Sequence, residues 1–186
     1  MVNLHIPPVG NKHLMSPVFV RDKFSKEECH ELVSNLTREK ENSIDVLKRS
    51  SFAIGINLTK GNEWFFDKAS SIIEEVNKQY YHFDLTDLRA VNFLEYQVNN
   101  SLIWHRDIGN EDRNFLSRKI TMIVFLSDKD DYVGGKLGFI PAPDSEVVQE
   151  QGSVLLYPSY LVHNVSKVTS GIRRVILASA HGQPYR

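Results

Sequence analysis

The chain has 186 residues, 41% of them hydrophobic, enough for one globular domain with a core and an enclosed site. Its 22 basic and 23 acidic residues leave a formal charge of -1, which excludes a global field drawing in nucleic acid or an anionic membrane. One cysteine excludes an internal disulfide, and no apolar run approaches membrane-spanning length. The opening MVNLHIPPVG has neither a basic start nor a long apolar stretch, so a cytoplasmic setting is expected.

Residues 1–15 carry Pro7, Pro8 and Gly10 without periodicity and read as an irregular arm. A short strand over 17–21 comes next. Ser25 and Glu28 have the spacing of a capping box, and apolar positions then recur at three and four residues, which predicts a helix over 25–39. Cys29 shares its apolar face with Leu32, Val33 and Leu36, the pattern of core packing rather than of a nucleophile. Polar residues 40–48 form a loop and 49–58 a strand. Gly61-Asn62 opens a second helix whose stripe is Phe65, Ala69, Ile72, Val76 and Tyr80.

Beyond residue 82 the chain breaks into short β-rich runs: HFDLTD, AVNFLEYQV, SLIWHRD, KITMIVFLS, KLGFI, SEVVQ, GSVLLYP, HNVSKV and RRVILASA. Turn-forming clusters such as DKDDYVGG and PAPD separate many of them. Two helices followed by such strands predict a mainly β, α+β domain: a β-sandwich or a jelly-roll (double-stranded β-helix) core over 89–186, buttressed by the helices of 1–88.

In SLIWHRD, His105 and Asp107 lie two apart, so on a strand both leave one face while Trp104 and Arg106 leave the other. His163 begins the later strand HNVSKV and supplies a third candidate ligand. Two histidines and one carboxylate on one face of an octahedron leave three positions open, the arrangement of non-haem iron(II) oxygenases. His5, His13, His30, His82 and His181 have no partner at ligand spacing and are expected in surface or capping roles. Arg173 follows His163 by ten positions and starts an apolar strand, where a guanidinium can clasp a carboxylate through two parallel hydrogen bonds. Alternation lets only one of Arg173 and Arg174 face inward.

At these residues the chain resembles the 2-oxoglutarate- and iron(II)-dependent dioxygenase superfamily, in its prolyl 4-hydroxylase-like branch. The resemblance covers roughly 89–186 and rests on ordered blocks: Tyr96, nine positions before His105; His105-Arg106-Asp107; RKITMIVFLSD; DDYVGGKLGF; GSVLLYPSYLVHNV; and VTSGIRR. It implies Fe(II) held by His105, Asp107 and His163. It also implies 2-oxoglutarate held through its distal carboxylate by Arg173, with Tyr96 assisting, and ascorbate as a reductant. Gly134 and Gly135 match a Gly-Gly pair whose reason is a tight turn. Asn99 departs from a common glycine, Leu102 from a second aromatic, and Val175 from the serine of other branches.

The activity implied is hydroxylation of an unactivated C–H bond with O2, releasing succinate and CO2. The substrate expected is a prolyl residue of a peptide or protein, or a free amino acid. Two other classes stay open: a non-catalytic cupin-like binding module, and oxidative demethylation of nucleic acid, which an evident basic and aromatic surface would favour. The charged segment 108–118 is a candidate substrate lid.

Overall fold

The computed structural model describes residues 16–41, 52–108, 116–140, 147 and 149–185. The expected arm 1–15, most of the loop 40–48, the central part of the candidate lid and the start of SEVVQ lie outside those residues. The first strand, β1 (Val18–Val20), leads into helix α1 (Lys26–Glu41). Its start is the capping box read from the sequence: the Ser25 amide donates to Glu28 Oε2 at 2.7 Å, and the Glu28 amide to Ser25 Oγ at 3.1 Å. Strand β2 (Phe52–Gly55) and helix α2 (Glu63–Val76) complete the N-terminal half.

The stripe of α2 differs from expectation at its end. Residues 77–81 form a π-helical turn, which inserts an extra residue into the helical repeat. Tyr81 therefore turns fully inward, 2% exposed, with its hydroxyl donating to the Leu156 carbonyl at 2.9 Å, while Tyr80 is only partly buried against the same core. His82 ends the turn in the left-handed region at φ 59°, a capping role.

The strands that follow are β3 (Leu85–Tyr96), β4 (Leu102–His105), β5 (Arg118–Phe125), β6 (Tyr132–Gly134), β7 (Leu137–Ile140), β8 (Val154–Pro158), β9 (Val162–Val165), β10 (Val168–Gly171) and β11 (Arg173–Gly182). HFDLTD and AVNFLEYQV, expected as two strands, join into β3. A β-bulge at Ala90, φ 50°, absorbs the irregular middle, where Leu177 pairs with Asn92 but Ser179 with Arg89. HNVSKV, expected as one strand, divides between β9 and β10.

Six strands form an antiparallel sheet in the order β1-β8-β5-β11-β3-β2, three form a second sheet β4-β9-β7, and β10 pairs with β6. Alternation on the larger sheet separates two cores. Met122, Val124, Val154, Leu156, Ile176 and Ala178 face α1 and α2, together with Cys29, Leu32, Phe65 and Ala69. Ile123, Phe125, Leu155, Tyr157, Val175 and Tyr96 face the three-stranded sheet and its Leu137, Phe139 and Val165. The helices thus cover one face of the sheet, and the other face becomes the wall of a jelly roll. Cys29 is fully buried and burial pushes its thiol up to about 11, the state of an inert core residue.

His181 contradicts its expected surface role. It lies on β11, 3% exposed, with Nδ1 2.7 Å from Ser117 Oγ, because the sheet continues past the apolar run that marked it in the sequence.

Gly134 and Gly135 take φ 84° and 59°. A Cβ on Gly134 would stand 2.1 Å from the Lys167 carbonyl oxygen, so both the backbone and the space require glycine. Asn99, at φ 73°, holds a left-handed position that suits glycine, which accounts for that departure in conformational terms. Gly134→Ala is expected to lower stability by at least ~1–3 kcal/mol from the backbone alone, read as a reduced denaturation midpoint in urea.

Candidate metal centre

His105 closes β4 and His163 sits on β9, and the two are register partners across that pair. Their rings face each other with centroids 4.2 Å apart. The Nδ1–H of each donates to the carbonyl two residues earlier, His105 to Ile103 at 2.8 Å and His163 to Leu161 at 3.0 Å. That tautomer leaves both Nε2 atoms unprotonated, with His105 Nε2 facing Asp107 and His163 Nε2 lying 3.1 Å from the Tyr157 hydroxyl at the edge of the same carboxylate. Phe139 stacks on His163 at 5.7 Å and fixes its plane.

Asp107 reaches the same point by a route that strand alternation does not describe. Strand β4 ends at His105, and Asp107 lies in a bend whose amide donates to the Ser159 carbonyl at 3.0 Å. Its Oδ2 accepts from Thr121 Oγ1 at 2.7 Å and from the Tyr157 hydroxyl at 3.0 Å. Its Oδ1 lies 3.6 Å from His105 Nε2 and 3.8 Å from His163 Nε2. Ser159 Oγ, 2.9 Å from Thr121 Oγ1, supports the arrangement from behind. Trp104 and Arg106 are exposed.

Burial alone would raise the Asp107 carboxyl, but the facing His105, electrostatic interaction with the neighbouring His163 ring and the Thr121 hydroxyl bring it down to about 2. Burial lowers His163, which keeps its imidazole neutral and available as a ligand. Tyr157 is raised well above the usual phenol value by burial and by the Asp107 charge, so it stays protonated and donates.

One oxygen and two nitrogens, all within 4.8 Å of one another, form the donor set of a two-histidine, one-carboxylate site. The carboxylate shows one free edge and one edge tied by hydroxyls, and the imidazoles show fixed tautomers. Both features fit a divalent ion of the iron type.

The same interior holds the second charge. Arg173, 1% exposed, pairs in register with Tyr96 and is among the largest fully buried side chains. Its carbon Cζ lies 5.2 Å from the Tyr96 ring centre and 6.0 Å from that of Phe125. Its Nη2 is buried without a hydrogen-bond partner among the described residues, which fits an anionic carboxylate arriving there. Arg174 faces the other way and donates from Nε to Glu95 Oε2 at 3.0 Å. The structure therefore brings His105, Asp107 and His163 together and places Arg173 with Tyr96 on the same interior wall.

Sequence reasoning missed Thr121, Tyr157, Ser159 and Gln149. Thr121 and Tyr157 share the inward phase of β5 and β8, which a strand-by-strand reading of alternation would have picked out. Gln149 has no such local signal.

The fold and the site point to a class: a jelly-roll protein with two histidines and one carboxylate gathered where a metal ion could be held. Residues 91–179, a little under half of the chain, match the profile of the 2OG-Fe(II) oxygenase superfamily, so that segment is similar to it. A PKHD-type hydroxylase of Gloeothece citriformis is 35% identical over 89 residues, which cover 47% of this chain and 40% of that hydroxylase. Matches of this kind leave the chain spanning less than half the length of that relative. The fold also resembles a Pseudomonas putida prolyl-4-hydroxylase, with TM-score 0.71 at 13% identity, covering 92% of this chain and 94% of the other. A Trichoplax adhaerens prolyl hydroxylase, solved with a hypoxia inducible factor peptide fragment, has TM-score 0.71 at 16% identity, covering 90% and 84%.

Tyr157→Phe keeps the buried ring and removes one donor to Asp107 Oδ2. Metal affinity is expected to fall about tenfold, the lower end for loss of an outer partner to a ligand, with the fold retained. A competition titration against a chelator measures it; unchanged affinity would mean that Thr121 alone suffices to hold the carboxylate.

Proposed function

We propose that the protein is an Fe(II)- and 2-oxoglutarate-dependent hydroxylase acting on a prolyl residue of a peptide or protein, or on a free amino acid. The observation that carries the reading is the pairing, on one barrel interior, of a tied carboxylate between two Nε2 atoms with a buried guanidinium whose Nη2 has no partner. His105, Asp107 and His163 would hold the iron, and Arg173 and Tyr96 the distal carboxylate of 2-oxoglutarate. Iron(II), 2-oxoglutarate and O2 together supply the oxidation of a C–H bond to an alcohol, with release of succinate and CO2.

The chain's own groups bind, orient and shield. Thr121 and Tyr157 keep Asp107 Oδ2 engaged, so Oδ1 alone is presented beside the imidazoles. The Ile103 and Leu161 carbonyls prevent either imidazole from turning over. Phe139, Tyr157, Phe125 and Tyr96, all nearly fully buried, keep bulk water from the interior and strengthen the charge pairing at Arg173.

A peptide substrate is favoured by the fold shared with prolyl hydroxylases, one of them solved with a peptide fragment bound. The near-neutral net charge gives no reason to choose nucleic acid. No helix among the described residues is long and apolar enough to cross a membrane, and the single buried thiol suits a reducing, cytoplasmic setting. The whole of 1–186 would then act as one unit, since β1 and β2 of the N-terminal half extend the same sheet as β3, β5, β8 and β11.

Purified protein is expected to bind one iron(II) per chain. Alanine at His105, Asp107 or His163 should abolish succinate release, and equilibrium dialysis should show lost iron binding. Asp107→Ala with undiminished iron affinity would overturn the ligand set.

Arg173→Ala is expected to weaken 2-oxoglutarate by ~2–4 kcal/mol in calorimetric titrations of the metal-loaded protein, because the partner charge would be left desolvated. Lysine there should restore part of the affinity, keeping the charge without the planar fork. Arg174→Ala should leave 2-oxoglutarate affinity unchanged but lower thermal stability, since it removes the guanidinium paired with the Glu95 carboxylate, 2% exposed. Equal losses of affinity at both arginines would mean the wrong face of β11 has been assigned.

A further inference from the structure

Gln149 stands just before β8, outside every motif, yet its side-chain amide makes two hydrogen bonds to the wall of the anion end. Its Oε1 accepts from Arg173 Nε at 3.0 Å, and its Nε2 donates to the Gly135 carbonyl at 3.2 Å. The Tyr132 hydroxyl also hydrogen-bonds the Arg173 guanidinium. Gly135 leaves the room the arginine needs, for a Cβ there would stand 2.7 Å from Arg173 Cδ and 3.4 Å from Tyr132 Cε2.

A guanidinium has three nitrogens, and its recognition of a carboxylate depends on which edge it presents. With Nε engaged by Gln149 and the Tyr132 hydroxyl bonded to the same group, Nη2 remains as the buried donor without a partner. We infer that Gln149 is a positioning residue for the cosubstrate: its neutral amide fixes the rotation of Arg173 and leaves the positive charge uncompensated for an incoming carboxylate. The inference rests on the cosubstrate reading given above.

The amide's neutrality is the distinctive part. A carboxylate at 149 would still accept from Arg173 Nε, but it would satisfy the guanidinium's charge within the protein and compete with the ligand. It would also face the Gly135 carbonyl with no proton to donate. Alanine would remove both hydrogen bonds without adding a charge.

The test is calorimetric titration of 2-oxoglutarate into manganese(II)-loaded wild type, Gln149→Ala and Gln149→Glu, with manganese affinity and melting temperature measured alongside. Affinity is expected to fall several-fold for alanine and by tenfold or more for glutamate, about the effect of losing or neutralising a hydrogen bond to a charged group. Manganese affinity should stay unchanged. A 2-oxo monocarboxylate such as 2-oxobutyrate, which lacks the distal carboxylate, should bind all three forms equally. That control separates positioning of Arg173 from general damage to the fold, which would weaken both ligands and the metal together.

Glutamate binding 2-oxoglutarate within twofold of wild type, or equal losses for 2-oxoglutarate and 2-oxobutyrate, would overturn the inference while leaving the cosubstrate reading intact. Wild type that binds manganese but no 2-oxoglutarate would overturn both.

Discussion

Asp107 is a carboxylate held almost wholly out of water, so protein groups must supply the solvation that water no longer provides. Much of the barrel's arrangement follows from that requirement. Thr121 comes from β5, Tyr157 from β8 and Ser159 from the turn after it, while the two imidazoles come from the facing sheet. No two neighbouring residues in sequence could do this, because one oxygen must be tied from one side and the other left open from the opposite side. The candidate metal centre is therefore a property of how the two sheets face each other and not of any single strand.

Alternation in the larger sheet allows the polar interior to coexist with a stable fold. On β5, β8 and β11 one phase carries Met122, Leu156 and Ile176 into the core beneath the helices, and the other carries Thr121, Tyr157 and Arg173 into the barrel. The helix-facing core supplies largely apolar burial, its Tyr81 hydroxyl satisfied by the Leu156 carbonyl, and it lets the inner face hold a carboxylate and a guanidinium. The π-helical turn after α2 serves the same layer, since it turns Tyr81 inward to reach the backbone of β8.

Two ends of the inner face carry opposite charge, Asp107 at one and Arg173 at the other, joined by the aromatic cluster that contains Tyr157, Phe139, Phe125 and Tyr96. Rings between the two charges keep the interior poorly solvated, which strengthens each interaction with a ligand. A structural likeness at 13–16% identity to prolyl hydroxylases shows how little of the fold depends on particular side chains. What the alternating pattern has to preserve is which face is apolar and which few inward positions are polar.

Much was legible in the chain because it is local. The capping box at Ser25 and Glu28 and the stripe of α2 up to Val76 depend on neighbours a few residues away, whose geometry a helix repeats, while the choice of Arg173 over Arg174 came from the family resemblance once alternation had allowed only one of them to face inward. The order of the ligand blocks was equally visible. Other features waited on the tertiary structure: the inward turn of Tyr81, the burial of His181, the route of Asp107 past the end of its strand, and the roles of Thr121, Tyr157 and Gln149. Each depends on the register between strands distant in sequence, or on one inserted residue in a π-turn. A one-residue change in register sends a side chain to the opposite face, so only the assembled sheets decide which hydroxyl meets Asp107 and which amide meets Arg173.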